Sequence, residues 1–386
     1  MPFKAATRFS LLSKAPIVRV TGTLLLAWAA ARLCVMLGTP LPWMIGPLVL
    51  TAAASMLGGP TASWIPLRNA GQWIIGCALG LYFTPQVVAL VAGLWWAIAL
   101  NIVWALALGL VFGEWLFWLH HRPGLVGAAP SAWRAKFHVR DLSRTTTYFA
   151  APIGAASEMT LMGERHGAQT DLVASAHSLR VLLVTLIIPF GFQWAELHGL
   201  DSTLPGAREV SAPGLALLAV LTGGGCWVML KLKRTNPWFI GALTVALLLT
   251  ASGVTLSALP QGLSNAAQLL IGISLGVRFT RGFVPMAPRW LASVALATVA
   301  MIGLCAGVAW LLAKVTHLHW ATLLLGTSPG GIAEMAITAK MLQLGVPVVT
   351  AFHVTRLAAV LLLAEPTYQY LKRRRSNQQG SGQPID

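Results

Sequence analysis

The sequence predicts an all-α polytopic membrane protein made of two inverted repeats, each with about five transmembrane helices and one broken or re-entrant segment. Three observations predict this fold: an apolar composition, an internal duplication, and basic residues that cluster in short loops. The chain of 386 residues is 56% hydrophobic and only 10% charged, whereas soluble domains carry about 25% charged residues. We therefore expect lipid to be its main solvent, and we expect no enzymatic activity.

Uncharged apolar runs long enough to cross a bilayer recur along the chain. A span needs about 20 apolar residues, and such runs cover residues 86–113, 213–230, 237–277 and 290–313. The third run is long enough for two spans. The basic N-terminus is followed by an apolar run from Val20 to Leu37, which we interpret as a retained first span because it is long for a signal peptide.

Three blocks of the sequence occur twice. Residues 41–46 (LPWMIG) return as residues 236–241 (NPWFIG), and residues 70–84 return as residues 266–280 with Gln, Ile-Gly, Leu-Gly and Phe-Thr retained. The third block repeats a Glu, a His and an Arg, and its three pairs have the same separation in sequence: Glu158 and Glu334, His177 and His353, Arg180 and Arg356. Such agreement indicates a duplicated fold.

The duplication divides the chain into five parts. We predict a cytoplasmic N-terminus over residues 1–16, a first membrane repeat over 17–195, a linker over 196–212, a second membrane repeat over 213–366, and a disordered basic tail over 367–386. The separation between equivalent residues is shorter in the third block than in the first two. This change predicts an insertion in the first half, at the basic loop of residues 120–144.

Basic residues predict the orientation of the repeats. If each broken segment dips into the membrane and returns, each half has five full spans, and an odd number inverts the second half relative to the first. The loops at 120–144, 231–235 and 278–289 and the tail after Glu365 then all lie in the cytoplasm with both termini, as the positive-inside rule requires.

We attribute the net charge of +16 to this orientation and expect no direct nucleic acid binding. The expected localisation is the bacterial inner membrane.

Ionisable residues inside the apolar segments mark a candidate substrate or ion site. Glu158 and Glu334 follow Gly- and Pro-interrupted segments at 151–154 and 328–331, where a continuous helix is not expected. A charge at bilayer depth costs at least about 2.5 kcal/mol, so it persists where it is paired or lines a wet cavity. The predicted binding set is Glu158, Glu334, His177, Arg180, His353, Arg356, Pro329, Gly330 and Gly331.

The His and the Arg of each half are three residues apart and therefore share one helix face. We expect each Arg to pair with a Glu, within its half or across the two halves. Two interpretations stay open at this point: a functional site, or a buried structural pair that fixes the fold without a ligand. The four cysteines lack C-x-x-C spacing and the intramembrane His residues are isolated, so we expect no metal and no cofactor.

The motifs Pro-Trp-x-Ile-Gly, Gln-x-x-Ile-Gly-x-x-Leu-Gly and Ser328-Pro329-Gly330-Gly331-x-x-Glu334-Met335 resemble those of the AbrB family of duplicated bacterial inner-membrane proteins, over nearly the whole chain. Members of that family are labelled regulator of gene expression and ammonia monooxygenase, and the family is similar to inverted-repeat cation and anion transporters. The isolated His residues argue against the monooxygenase label, because membrane copper and iron oxygenases need clustered ligands.

The two halves differ in the Pro-Gly-Gly pattern of that resemblance. In the first half Ile153 replaces the first Gly, and one extra residue precedes Glu158. Adjacent glycines allow positive φ and close approach to a ligand, whereas a β-branched residue resists both. We therefore expect the tighter backbone site in the second half and a mild effect of Ile153→Gly.

The sequence supports two functional hypotheses. The first is a secondary transporter that moves a small solute or ion through a midplane site between the inverted repeats. The alternative is a membrane-embedded regulator of gene expression without transport activity, in which the same residues are structural. The expected partners are the lipid bilayer and the small solute or ion, and formation of a homo-oligomer is left open.

Overall fold

The computed structural model describes residues 5–121, 142–154, 156–197, 199, 209–281 and 288–380. This part of the chain contains 15 helices and no strand, which confirms the predicted all-α fold. The helices are α1 (Ala5–Met36), α2 (Pro42–Met56), α3 (Ile65–Gly80), α4 (Pro85–Gly93), α5 (Trp95–His121), α6 (Arg144–Ala150), α7 (Ala156–Arg165), α8 (Thr170–Trp194), α9 (Ala212–Lys231), α10 (Pro237–Ala251), α11 (Gln261–Gly276), α12 (Pro288–Thr316), α13 (Trp320–Thr327), α14 (Ile332–Met341) and α15 (Val346–Gly380).

Six of the described helices are long and apolar enough to cross a membrane: α1 from Ile17, α5, α8, α9, α12, and α15 as far as Arg374. They identify a multi-pass membrane protein. The other four predicted spans, α2, α3, α10 and α11, have only 15 or 16 residues, which is about 24 Å against a hydrocarbon core of about 30 Å. α3 bends by 87° into α4 and forms a seventh span if the two are counted together.

The helices α1 and α9 turn large apolar side chains outward. Leu25 and Trp28 on α1 are 69% and 54% exposed, and Val220 and Trp227 on α9 are 71% and 60% exposed. Faces of this kind are stable in lipid and unfavourable in water. Both helices therefore present a membrane-facing surface.

The duplicated Ile-Gly-x-x-Leu-Gly block packs the short helices against each other. On α11, a Cβ atom at Gly272 would lie 2.6 Å from the carbonyl oxygen of Met44, and one at Gly276 would lie 2.8 Å from that of Leu48. On α3, Gly80 approaches the carbonyl oxygen of Leu243 in the same way, at 2.8 Å. Gly-x-x-x-Gly spacing lets helix backbones touch where a side chain would separate them. The block thus holds α11 on α2 and α3 on α10.

The duplicated Pro-Trp-x-Ile-Gly block forms the start of α2 and α10. Each helix begins with Pro at its first position, after a residue in the left-handed region: Leu41 at φ 48 and Asn236 at φ 52. A Cβ at Gly46 would lie 2.7 Å from the carbonyl oxygen of Ala30, and one at Gly241 would lie 2.6 Å from the Cα of Cys226. This motif therefore sets a turn and a close helix contact in each half.

Each broken segment folds back on itself. In the first half the hydroxyl of Thr146, near the start of α6, accepts a hydrogen bond from the backbone N–H of Gln169, just after α7 (3.0 Å). In the second half the hydroxyl of Thr322, near the start of α13, accepts one from the N–H of Gly345, just after α14 (3.2 Å). The start and the end of each segment therefore lie together. We name them hairpin 1 (144–165, with tip 1 at 151–154) and hairpin 2 (320–341, with tip 2 at 328–331).

The two hairpins open at opposite ends of α8. Hairpin 1 lies at its N-terminal end, where its Thr146 hydroxyl accepts from the N–H of Gln169, the N-cap residue of α8 (3.0 Å). The start of α12 lies at the same end, since the indole N–H of Trp290 donates to the carbonyl of Leu172 (3.0 Å). Hairpin 2 lies at its C-terminal end, where the Trp320 ring packs on Phe192 at 6.0 Å between centroids and Gly199 donates to the carbonyl of Leu342 (3.0 Å). We call the first of these the basic end, because Arg144, Arg289 and the Lys372 region of α15 lie there.

α15 extends to Gly380, so residues 367–380 are helical, which differs from the predicted disordered tail. This stretch contains no Gly or Pro before Gly380 and is rich in Lys, Arg and Gln, which favour a helix.

Most of the predicted basic loop, residues 122–141, lies outside the described residues, as do residues 200–208 of the linker and residues 282–287.

Candidate functional site

The two tips lie at the middle of the long spans. Tip 1 packs on α5, where a Cβ at Gly109 would be 3.3 Å from the Cα of Pro152. Beside tip 2, the thiol of Cys305 on α12 donates to the carbonyl of Thr327 (3.2 Å). Gly109 and Cys305 are both near the centres of their helices. The helix breaks therefore fall at mid-depth.

Arg180 holds tip 1 through its backbone carbonyls. The side chain is 5% exposed, and its guanidinium donates to the carbonyl oxygens of Ala151 (2.9 Å) and Pro152 (2.7 Å), with a longer contact to Ala150 (3.3 Å). It also lies 2.6 Å from Nδ1 of His177, whose Nε2 is 2.9 Å from the carbonyl oxygen of Phe149.

Arg356 holds tip 2 in the same arrangement. The side chain is 2% exposed and donates to the carbonyl oxygens of Ser328 (2.7 Å) and Gly330 (3.0 Å). It lies 2.8 Å from Nδ1 of His353, whose Nε2 is 2.8 Å from the carbonyl oxygen of Leu325. We call the His177–Arg180 and His353–Arg356 groups latch 1 and latch 2. Two acceptors of latch 1 have an equivalent in latch 2: Phe149 corresponds to Leu325, and Pro152 corresponds to Ser328. The two members of each pair are separated in sequence by the same number of residues as the latch residues themselves.

The latches supply donors to backbone that the helix breaks leave unpaired. Carbonyl groups at bilayer depth must find donors inside the protein, because lipid offers none. A guanidinium only donates, so Nδ1 of each latch histidine must accept, which puts the ring proton on Nε2, facing a carbonyl. Each latch therefore contains a neutral histidine. The prediction that His and Arg share one helix face is confirmed.

The predicted Glu–Arg pairs do not form. The acids that do form ion pairs among the described residues include Glu114, with Arg144 at 3.7 Å, and Glu365, with His166 at 3.1 Å, and both pairs lie towards the basic end. The face of α8 that carries Arg180 meets tip carbonyls, and so does the face of α15 that carries Arg356. Each latch arginine therefore donates to backbone carbonyl groups at a helix break, where the sequence pattern predicts a carboxylate acceptor.

The two predicted glutamates differ in their surroundings. Glu334 is 7% exposed and lies in the first turn of α14. Its carboxylate touches the position that a Cβ at Gly331 would occupy, and the charge of Arg278, just after α11, acts on it. Glu158 occupies the equivalent first turn of α7 but is only half-buried.

The tip contacts also bear on the predicted register. Two acceptor pairs, Phe149 with Leu325 and Pro152 with Ser328, keep the separation of the latch residues, which would pair Ile153 with Pro329 without an extra residue. The other acceptors, Ala150, Ala151 and Gly330, have no equivalent at that separation. Positive φ occurs in the first half, at Gly154 (φ 109), whereas Gly331 has φ −81. The expectation of positive φ at Gly330 and Gly331 is therefore wrong. Ile153 is fully buried, so Ile153→Gly would leave a cavity and is not expected to be mild.

The close approach of a ligand to the second-half glycines stays a prediction, and the structure shows what else lies against them. A Cβ at Gly330 would lie 2.7 Å from Cγ of Met335, and one at Gly331 would meet the Glu334 carboxylate. Both contacts are within hairpin 2 itself. Pro329 lies between Ser328 and Gly330, whose carbonyls latch 2 holds.

Sequence reasoning missed two polar residues near the latches. Arg278 follows α11 as an exposed side chain, and the predicted binding set leaves it out because the sequence analysis assigns it to the basic loop at 278–289. Asn101 is fully buried in α5 and donates to the carbonyl of Phe352, next to latch 2, at 3.4 Å. A lone amide inside an uncharged span was the signal that could have identified it.

Comparison with known proteins gives a family. The family model described as "Transition state regulatory protein AbrB" matches residues 43–372. The chain is 27% identical over 329 residues to "Putative regulator AbrB" of Escherichia coli (strain K12), covering 84% of this chain and 88% of that protein. It is 23% identical over 362 residues to "Uncharacterized protein YhjN" of Bacillus subtilis (strain 168), covering 86% and 88%. No solved structure matches. Because the family match spans both hairpins and both latches, the chain belongs to the AbrB family.

Proposed function

We propose that this protein is a secondary transporter of a small solute or ion rather than an enzyme, with its binding site at the two hairpin tips. The observation that carries the proposal is the pair of hairpins, which open at opposite ends of α8 and break at mid-depth. Inverted repeats with discontinuous helices at the midplane are the common construction of secondary transporters. The opposite openings support inversion of the two halves.

The chemistry of the tips suits a transported ligand. The first turns of α7 and α14 follow the two tips, and each contains a glutamate. Backbone N–H groups at a helix start and a nearby carboxylate offer both donors and acceptors at one depth. The latches hold the tip carbonyls and thereby fix the backbone of the tips.

Flux in proteoliposomes tests the proposal. Wild-type protein should move at least one solute or ion from a broad panel down an imposed gradient. Gly331→Ala should reduce that flux about tenfold, equivalent to about 1.4 kcal/mol, because the new methyl displaces the Glu334 carboxylate. The matched control is Gly303→Ala, whose methyl meets no atom within 4 Å. Flux that is equal in both variants would contradict a binding site at tip 2.

A membrane-embedded regulator of gene expression without transport activity is the second candidate. The printed name of the Escherichia coli relative contains the word regulator, and this name is the observation that favours it. Under this alternative the latches are purely structural. A wild-type protein that moves no solute or ion in the panel, together with an expression phenotype that Gly331→Ala leaves intact, would favour the regulator.

We further propose that the protein lies in the bacterial inner membrane with the basic end in the cytoplasm. Cysteine labelling checks this orientation at Ser252 and Thr280, two exposed residues just beyond opposite ends of α10–α11. In a Cys34→Ser background, a membrane-impermeant maleimide should label Ser252→Cys in intact spheroplasts and label Thr280→Cys only after permeabilisation. The reverse pattern would overturn the assignment.

A further inference from the structure

Glu334 is the buried acidic side chain of the described part of the chain, with 7% of its surface exposed. It occupies the first turn of α14, three residues after the N-cap Gly331. No described cation lies within ion-pair distance of its carboxylate. An ionised carboxylate in such surroundings is costly, whereas a protonated carboxyl group is accommodated.

None of the charged groups around Glu334 forms an ion pair with it. α14 packs against α3, α8, α13 and α15. The titratable and charged residues that these elements and the end of α11 bring towards the tips are Arg68, His177, Arg180, His353, Arg356, Lys340 and Arg278. The latch histidines are neutral, and the latch arginines are engaged with backbone carbonyls. Arg278 acts on Glu334 from beyond ion-pair distance.

We propose that Glu334 is the proton-carrying residue of the transporter, so that solute movement is coupled to a proton. This inference rests on the proposed transport function and names its coupling ion. The proton joins one carboxylate oxygen of Glu334 when hairpin 2 is packed as in this structure. It leaves to water when the hairpin opens and the carboxylate gains solvent.

A proton fits the site better than a sodium ion. A sodium ion needs several oxygen ligands at once, and the tip carbonyls of Ser328 and Gly330 already accept from Arg356. The nearby hydroxyl of Thr338 donates to the backbone carbonyl of Glu334 itself (2.8 Å). A fixed guanidinium at the same carbonyls would also repel a metal cation. A proton needs only the carboxylate.

Glu158 provides the internal comparison. It stands at the equivalent position on α7, and it is half-buried where Glu334 is buried. The two glutamates therefore occupy equivalent helical turns but differ in how much of their surface solvent can reach. We infer that opening of hairpin 2 gives Glu334 the exposure that Glu158 has in this structure.

Infrared spectroscopy of the full-length protein in lipid nanodiscs tests the protonation directly. We expect the carbonyl stretching band of a protonated carboxylic acid at neutral pH in the wild type, and we expect it to diminish as pH rises. Glu334→Gln should remove this band. The control Glu365→Gln, at a partly exposed residue that pairs with His166, should retain it. If Glu334→Gln does not fold, Glu334→Asp should shift the frequency of the band instead.

The outcomes separate the inference from the proposed function. A wild-type band that persists in Glu334→Gln, or a band that changes with sodium concentration rather than with pH, would overturn the proton assignment. In proteoliposomes with a trapped pH-sensitive dye, wild-type solute flux should be accompanied by proton movement that is lost in Glu334→Gln. Solute flux without proton movement would overturn the inference alone, whereas absence of any flux would count against the transporter itself.

Discussion

Arg356→Gln is expected to abolish flux and to lower thermal stability, because it leaves the carbonyls of Ser328 and Gly330 without donors in an apolar interior. Both carbonyls accept from the guanidinium, at 2.7 and 3.0 Å. A buried polar group that loses its partner costs about 1–3 kcal/mol, so the two together predict a loss of about 2–6 kcal/mol. The unfolding midpoint in detergent and the flux in proteoliposomes measure the two effects.

Two further variants make this prediction specific. Arg356→Lys should recover only part of the stability, because one ammonium group cannot span the two carbonyls and Nδ1 of His353 as a planar guanidinium does. Arg289→Gln removes an exposed guanidinium at the start of α12 and should leave the stability within about 0.5 kcal/mol of wild type. A midpoint for Arg356→Gln equal to that of Arg289→Gln would show that latch 2 does not hold the tip.

The duplicated Glu, His and Arg pattern predicts part of the site correctly. Spacing alone gives the shared face of His177 and Arg180, since residues three apart on a helix are neighbours. Spacing does not give the partners of these residues. A backbone carbonyl has no sequence signature, and it is free to accept from a side chain only where the helix is interrupted. The sequence pattern therefore points to acids, whereas the broken backbone supplies the acceptors.

The register assigned to tip 1 depends on which residues are matched. Matching the prolines, Pro152 with Pro329, places Ile153 on Gly330 and requires an extra residue before Glu158. The latch contacts are hydrogen bonds to carbonyls, which proline supplies as well as any other residue. One pair of them, to Pro152 and to Ser328, instead follows the constant separation of the ionisable residues, whereas the contacts to Ala151 and Gly330 have no equivalent in the other half.

Span lengths are also only partly predictable. Hydropathy joins residues 86–113 into one apolar run, although the chain starts α4 at Pro85 and begins a separate helix, α5, at Trp95. Thr84 caps α4 by accepting from the N–H of Val87, so a Thr-Pro start signal is present in the sequence. Hydropathy also gives no sign of the 87° bend between α3 and α4, which falls just before this start signal.

Gly272→Val is expected to force the short helices α11 and α2 apart. A Cβ at this position would lie 2.6 Å from the carbonyl oxygen of Met44 on α2. The obstacle is backbone, which cannot rotate away as a flexible side chain does, so the two helices must separate. Overpacking typically costs about 1–3 kcal/mol of stability, and we expect a loss of about 3 kcal/mol here because the contact is rigid. Gly76→Val, at the equivalent contact of α3 with Phe239, should behave alike.

Gly303→Val provides the control, because a Cβ at Gly303 in the membrane-spanning helix α12 meets no atom within 4 Å. All three variants add the same isopropyl group to a helical glycine, so propensity effects are shared and only the helix contact differs. The yield of monodisperse protein and the unfolding midpoint should fall sharply for Gly272→Val and Gly76→Val and stay near wild type for Gly303→Val. Equal losses in all three would mean that the duplicated Gly-x-x-x-Gly block acts through helix propensity, and that close contact of α11 with α2 does not stabilise the fold.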